Sequence, residues 1–123
     1  MNIPSKKECF QLMQKMKMMD HIVDHSIMVA NVTSFLCHSL KKQFPNINTK
    51  IAVAAALLHD ITKTRSFKTN EVHSITGDIL LQQLGYPKVG NIVRQHVMLD
   101  IYKNKGKIFE QEIVNYSDKK VKR

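Results

Sequence analysis

The sequence predicts an all-α protein, one compact bundle of about six helices, and three observations carry that expectation. Apolar residues recur three, four and seven positions apart, the spacing that lines one face of a helix. No alternation of apolar and polar residues persists long enough to suggest a sheet. Chain breakers separate the periodic stretches: Pro45-Asn46, then Gly85-Tyr86-Pro87, with a further turn expected at Asn104 to Lys107.

Each element has its own local cause. Ser5 and Glu8 fit a capping box, which opens a first helix with Phe10, Met13 and Lys17 on successive turns. Asp20 is expected to cap a second helix running to about Phe44, where Pro45-Asn46 stops it. Asn48 or Thr49 starts the third, which carries the apolar run Ile51 to Leu58 and closes on His59-Asp60. Eight apolar residues would also suit a buried strand, but the four alanines among them favour helix. Those small side chains also let neighbouring helices approach closely. Thr62 to Asn70 is polar and reads as a loop. A fourth helix covers about Val72 to Leu84 and ends at Gly85. A fifth runs from Pro87 to about Leu99, and a sixth begins near Phe109 and continues towards the C-terminus.

Composition sets the outer bounds. A chain of 123 residues fits a single domain, 1–123, and 43% apolar with 24% charged residues is ordinary for a soluble globular protein. No apolar stretch approaches the roughly 18–20 residues that span a bilayer, so no membrane association is expected. The N-terminus lacks the apolar core of a signal peptide, which makes a cytoplasmic location the expectation. Cys9 and Cys37 have neither metal-ligand spacing nor the number for a disulfide framework, and read as reduced thiols. The net charge of +9 biases the chain towards anionic partners. Much of it lies in Lys6, Lys7, Lys15 and Lys17 and in Lys119, Lys120, Lys122 and Arg123, which read as solvated termini. Lys and Arg are otherwise scattered and no aromatic residues interleave with them, so nucleic-acid binding is not the expected role.

Titratable residues then stand out because they fall on apolar stripes. On the second helix Ile22, His25, Met28, Val29, Val32 and Leu36 share a face; on the fifth, Val89, Ile92, Val93, His96 and Val97 do; on the last, Val114, Asp118 and Val121 do. His73 opens the fourth helix, beside the segment that follows His59-Asp60. His21, four residues before His25, is a rival ligand, whereas His38 has no comparable setting. Any one inward His is ordinarily a core residue hydrogen-bonded to a carbonyl. Six ligand-type groups, His25, His59, Asp60, His73, His96 and Asp118, are less plausible as six separate exceptions than as the result of one cause. A bound cation is such a cause, since it replaces the hydration that every buried ligand loses. With imidazole and carboxylate donors and no thiolate, one or two ions of Fe, Mn, Ni, Co or Zn fit better than Mg.

The order His25, His59-Asp60, Asp118 resembles the HD superfamily of metal-dependent phosphohydrolases. His25 to Ala30 is similar to its first motif, and Ala55 to Lys63 to its second, in the subgroup whose pair is followed by Ile. His73 to Gly77 and Ile92 to His96 resemble two further His motifs of that subgroup, and Asn115 to Lys119 resembles the closing Asp motif. The likeness covers roughly residues 20–121. It implies an HD-like bundle with a metal site in its core. His25, His59, Asp60 and Asp118 would hold a first metal, and His73 and His96 a second, with Asp60 bridging and Lys63 contacting substrate phosphate. Asp60 and Lys63 are then the expected catalytic residues, with Arg94 and Lys119 as further phosphate contacts. Two departures stand out: Thr62 stands in place of a Gly, a common departure that reads as harmless, and the chain ends five residues after Asp118, where similar proteins continue through another helical segment. The expected activity is hydrolysis of a phosphate ester or anhydride in a small, nucleotide-like substrate by a monomer or homodimer. The alternatives are a catalytically silent regulatory module that binds metal or nucleotide, and a basic helical nucleic-acid-binding domain.

Overall fold

The computed structural model describes residues 2–100 and 106–121. Among them are seven helices and no strand: α1 (Lys6–Lys15), α2 (Asp20–Leu40), α3 (Thr49–Leu58), α4 (Lys63–Thr69), α5 (His73–Gln83), α6 (Pro87–Arg94) and α7 (Glu110–Lys120). The all-helical expectation holds, with one short helix more than the sequence suggested. None of the described helices is long and apolar enough to cross a membrane.

The α1 capping box forms as expected. Ser5 Oγ accepts the Glu8 N–H at 3.1 Å, and the Glu8 carboxylate accepts the Ser5 N–H at 2.9 Å. The cap of α2 is Met19, with no side-chain hydrogen bond, so Asp20 is the first helical residue and not the cap. There its charge still meets the positive end of the helix dipole. This helix stops at Leu40, short of Phe44; residues 41–44 continue as a turn in which Phe44 N–H reaches Leu40 O at 2.8 Å. Its buried face is Ile22, His25, Ser26, Val29, Ala30, Thr33 and Cys37. Met28, expected inside, is half exposed.

The centre of the bundle is α3, where Asn48 Oδ1 caps the Ile51 N–H at 3.2 Å. Every residue from Ile51 to Leu58 is buried, and α2, α6 and α7 all pack against this helix. Such packing is expected where alanines remove bulk, and each fully buried Leu or Ile adds about 1.5–3 kcal/mol of hydrophobic stabilisation. The helix ends at Leu58, two residues short of Asp60, so His59 and Asp60 lie in the turn that leaves it. The other large contact is α5 on α6, and α5 reaches the rest of the bundle chiefly through α6.

Two segments differ from expectation for identifiable reasons. The polar stretch read as a loop contains α4, which buries no residue and therefore shows no apolar period. Polar contacts hold it: Arg65 forks onto Glu71 at 2.9 and 2.8 Å, and Thr64 Oγ1 accepts the Met19 N–H at 3.1 Å. It stops at Asn70, in the left-handed region at φ 60°. The fifth expected helix ends at Arg94 instead of Leu99. Asp100 draws the chain back, its N–H donating to Gln95 Oε1 at 3.2 Å and its carboxylate pairing with Arg94 at 2.6 Å. Val97, expected on the inner stripe, is consequently exposed. Of the turn expected at Asn104 to Lys107, Asn104 and Lys105 lie outside the described residues, as do the basic Lys122 and Arg123. Phe109 precedes α7, its N–H bound by Glu112 Oε1 at 3.1 Å. Cys9 and Cys37 are buried free thiols, and burial pushes them up to about 12 and about 11, so neither ionises near neutrality.

Candidate metal centre

Six residues from five parts of the chain meet between α2, α3, α6 and α7. His25 comes from α2 and Asp118 from α7. His59 and Asp60 come from the turn after α3, His73 is the first residue of α5, and His96 lies two residues past α6. His59, Asp60 and His96 are at most 1% exposed and His25 6%, while the His73 and Asp118 side chains keep 24% and 13%. The four imidazoles stand in a row, His25, His59, His96, His73, with successive ring centroids 5.4, 4.9 and 5.3 Å apart.

The carboxylates lie alongside that row. Asp118 Oδ1 is 2.8 Å from His25 Nε2 and 3.2 Å from His59 Nε2. Asp60 Oδ2 is 3.3 Å from His59 Nε2, and Asp60 Oδ1 is 3.3 Å from His73 Nε2 and 3.6 Å from His96 Nε2. Three sets of ligand atoms within 4.8 Å of one another result: His25, His59 and Asp60; His59, His96 and Asp118; Asp60, His73 and His96. Each set shares a member with each of the others. The cluster is therefore continuous, with His59, Asp60 and His96 as the common residues.

Proton placement decides what this cluster can hold. His59 Nδ1 lies 2.6 Å from Ala56 O, and His96 Nδ1 lies 2.6 Å from Val93 O. A carbonyl only accepts, so Nδ1 carries the proton in both rings, and in the neutral ring Nε2 turns a lone pair inward. The Nε2 atoms of His59, His73 and His96 are buried and make no hydrogen bond. Lone pairs facing carboxylate oxygens at 3.2–3.6 Å repel unless positive charge lies between them. A divalent cation fits this donor set, which is all nitrogen and oxygen.

The electrostatics lead to the same place. Without a cation, burial opposes charge on His59, but the Asp118 and Asp60 carboxylates outweigh it and hold the imidazole at about 9. Burial and the neighbouring charge of His59 push His96 down to about 4. Burial works against ionised Asp118, yet His59 and His25 hold its carboxyl far below the usual range. The site attracts one positive charge strongly and resists a second proton.

The remaining expected residues are placed as follows. Lys63 opens α4, half-buried, with its N–H on Asp60 O at 2.9 Å. Arg94 is bound by both oxygens of Asp100 at 2.6 Å and by Asp78 at 3.4 Å. Lys119 is exposed and lines a groove of about 600 Å³ with Leu36, Leu40, Phe44 and Tyr116; none of the six clustered residues lines it. His21 is exposed and belongs to none of the three ligand sets, and His38 is exposed with its ring bound to Ser34 O at 2.8 Å. One contributor went unforeseen. Asn115 is buried and donates from Nδ2 to Gln95 O at 3.0 Å and His96 O at 3.1 Å, tying α7 to the turn that carries His96. Its position three residues before Asp118, on the same helix face, was the available signal.

A helical bundle with a buried His and Asp cluster at its centre defines the class of this protein. The family model of the HD domain matches residues 22–119, and the chain belongs to that family. No curated protein and no solved structure matches it.

Proposed function

We propose that this chain is a metal-dependent phosphohydrolase acting on a small, nucleotide-like phosphate ester or anhydride. The observation that supports it best is the convergence of three buried, hydrogen-bond-free Nε2 atoms on two carboxylates. His25, His59, Asp60 and Asp118 form one ligand group, and His73 and His96 form a second around Asp60. A bound divalent cation would supply Lewis acidity, lowering the pKa of a water molecule towards neutrality and offsetting phosphate charge. Fe, Mn, Ni, Co and Zn suit these ligands better than Mg.

The protein residues do the rest. His73 and Asp118 are the exposed edge of the cluster, so substrate enters between the start of α5 and the end of α7. Lys63, three residues after Asp60, is the basic group assigned to the phosphate. Arg94 is committed to Asp78 and Asp100, so its role is to hold the turn after α6 and not to contact substrate. Lys119 faces the neighbouring groove and is a weaker phosphate contact. We place the protein in the cytoplasm, in keeping with two unpaired thiols.

The test is elemental analysis of the purified chain beside Asp60→Ala, followed by a phosphoester panel with Mn²⁺ or Fe²⁺ added. Bound metal in the unmodified chain, lost in the variant along with turnover, supports the reading. Metal without turnover on any phosphoester leaves a regulatory module. Turnover that survives stoichiometric chelator overturns the metal mechanism.

A further inference from the structure

Thr62 stands where the HD family commonly has glycine, and the structure gives its side chain a specific task. It lies between Asp60 and Lys63 and is fully buried. Its hydroxyl donates to the His73 carbonyl at 3.0 Å and lies 2.9 Å from the Thr76 hydroxyl. Both partners belong to the first turn of α5, the turn that carries His73.

Val72, the residue before α5, offers no side-chain cap and is 59% exposed. The body of α5 packs mainly on α6, away from the α2, α3 and α7 core. At Gly77 the helix comes close to α6 and to the turn after α3: a Cβ there would meet Val93 Cγ1 at 3.1 Å, Ile61 Cγ2 at 3.6 Å and Thr62 Oγ1 at 3.7 Å. The Thr62 hydroxyl is thus a direct side-chain bond between the His59-Asp60 turn and His73.

We propose that Thr62 is a positioning residue for the second half of the metal centre. Its hydroxyl fixes the separation between the Asp60 turn and the start of α5, and so determines whether Asp60, His73 and His96 close around a cation. A glycine at this position would have no such bond. The proposal rests on the metal reading above, and its predicted effect is confined to one of two ions.

The test is titration of the full chain with Mn²⁺, comparing Thr62→Val, Thr62→Ser and His73→Ala. Valine keeps the shape of the side chain and removes the donor; serine keeps the donor. The unmodified chain is expected to bind two ions. Thr62→Val should weaken one by about 10- to 100-fold, the range for partners that orient a ligand. The other ion should stay within about two-fold, His73→Ala should weaken the same ion, and Thr62→Ser should restore most of the loss. In the metal-free protein, hydrogen exchange at the first-turn amides of α5 should rise about ten-fold in Thr62→Val and remain near the original in Thr62→Ser. If the buried valine prevents folding, Thr76→Val removes the other hydroxyl of the pair and should weaken the same ion. Full-affinity binding of both ions by the valine variants, or equal weakening of both, overturns the proposal alone. If the unmodified chain binds no Mn²⁺, the metal reading falls and this proposal falls with it.

Discussion

The two halves of the centre are built differently. His25 and Asp118 project from helices that pack on each other and on α3, and His59 follows directly from α3, whose every residue from Ile51 on is buried. His73 and His96 come from helix ends, one at the first residue of α5 and one two residues beyond α6. The first half inherits its geometry from apolar packing, which resists displacement because interiors are close-packed. The second relies on a few polar bonds at helix termini. On the metal reading proposed above, that contrast predicts tighter binding to the first half and weaker, adjustable binding to the second.

The sharpest way to break the comparison is to delete one ligand from each side. His25→Ala should abolish the tighter ion and lower turnover more than about 100-fold, beyond the range for residues that merely orient ligands. His73→Ala should leave one ion bound and a measurable residual rate. Calorimetric stoichiometry and turnover on the same samples decide it, and equal losses from the two variants would erase the distinction.

Next in size is the link between the halves. Asn115→Ala leaves the Gln95 and His96 carbonyls without their shared donor inside the bundle. Stability should fall by about 1–3 kcal/mol in chemical denaturation. Metal affinity should fall mainly at the ion held by His96.

A pH titration separates the empty site from the filled one. In the metal-free chain His59 is held at about 9, above its ordinary 6.5, so its stabilisation is complete below pH 6.5 and is lost as pH rises through 9. Cation binding requires the deprotonated ring and so strengthens over the same interval. Melting temperature in chelator should therefore decline from pH 6.5 to 9, while the increment produced by Mn²⁺ grows.

The smallest effect belongs to the polar contacts around α4, a helix that buries no residue. The Arg65 guanidinium, with the Thr69 hydroxyl, holds Glu71 at about 2, below its ordinary 4.5. Its contribution is present above pH 4.5 and disappears as pH falls towards 2. Arg65 is 46% exposed at its side chain, so solvent limits the loss to under about 1 kcal/mol. Glu71→Gln should flatten the acid limb of the stability profile by that amount and leave metal content unchanged.

Five of the six clustered residues were legible in the sequence because each interrupts an apolar pattern with a group that needs a partner; His73 was legible from its place beside the segment after His59-Asp60 and from the family resemblance. His25 does so inside the stripe of α2, His59 and Asp60 at the end of an alanine-rich run, and His96 after Val89, Ile92 and Val93. What the pattern conceals is anything held by polar contacts. The α4 helix has no buried face, so no period announces it, although Asn70 in the left-handed region marks its end. The early stop of α6 depends on Asp100 folding back onto Arg94, a pairing that periodicity cannot register. The pairing of Arg94 with Asp78 and Asp100 was hidden for the same reason: those partners are neighbours in space. Thr62 read as a harmless departure because a hydroxyl's importance depends on which carbonyl lies opposite.

The Nδ1 atoms of His59 and His96 are both anchored by main-chain oxygens three residues earlier. Such an anchor is written into the path of the polypeptide and has no side chain that a mutation can remove. A substitution at Ala56 or Val93 therefore alters the packing but leaves in place the carbonyl that aims each inward nitrogen.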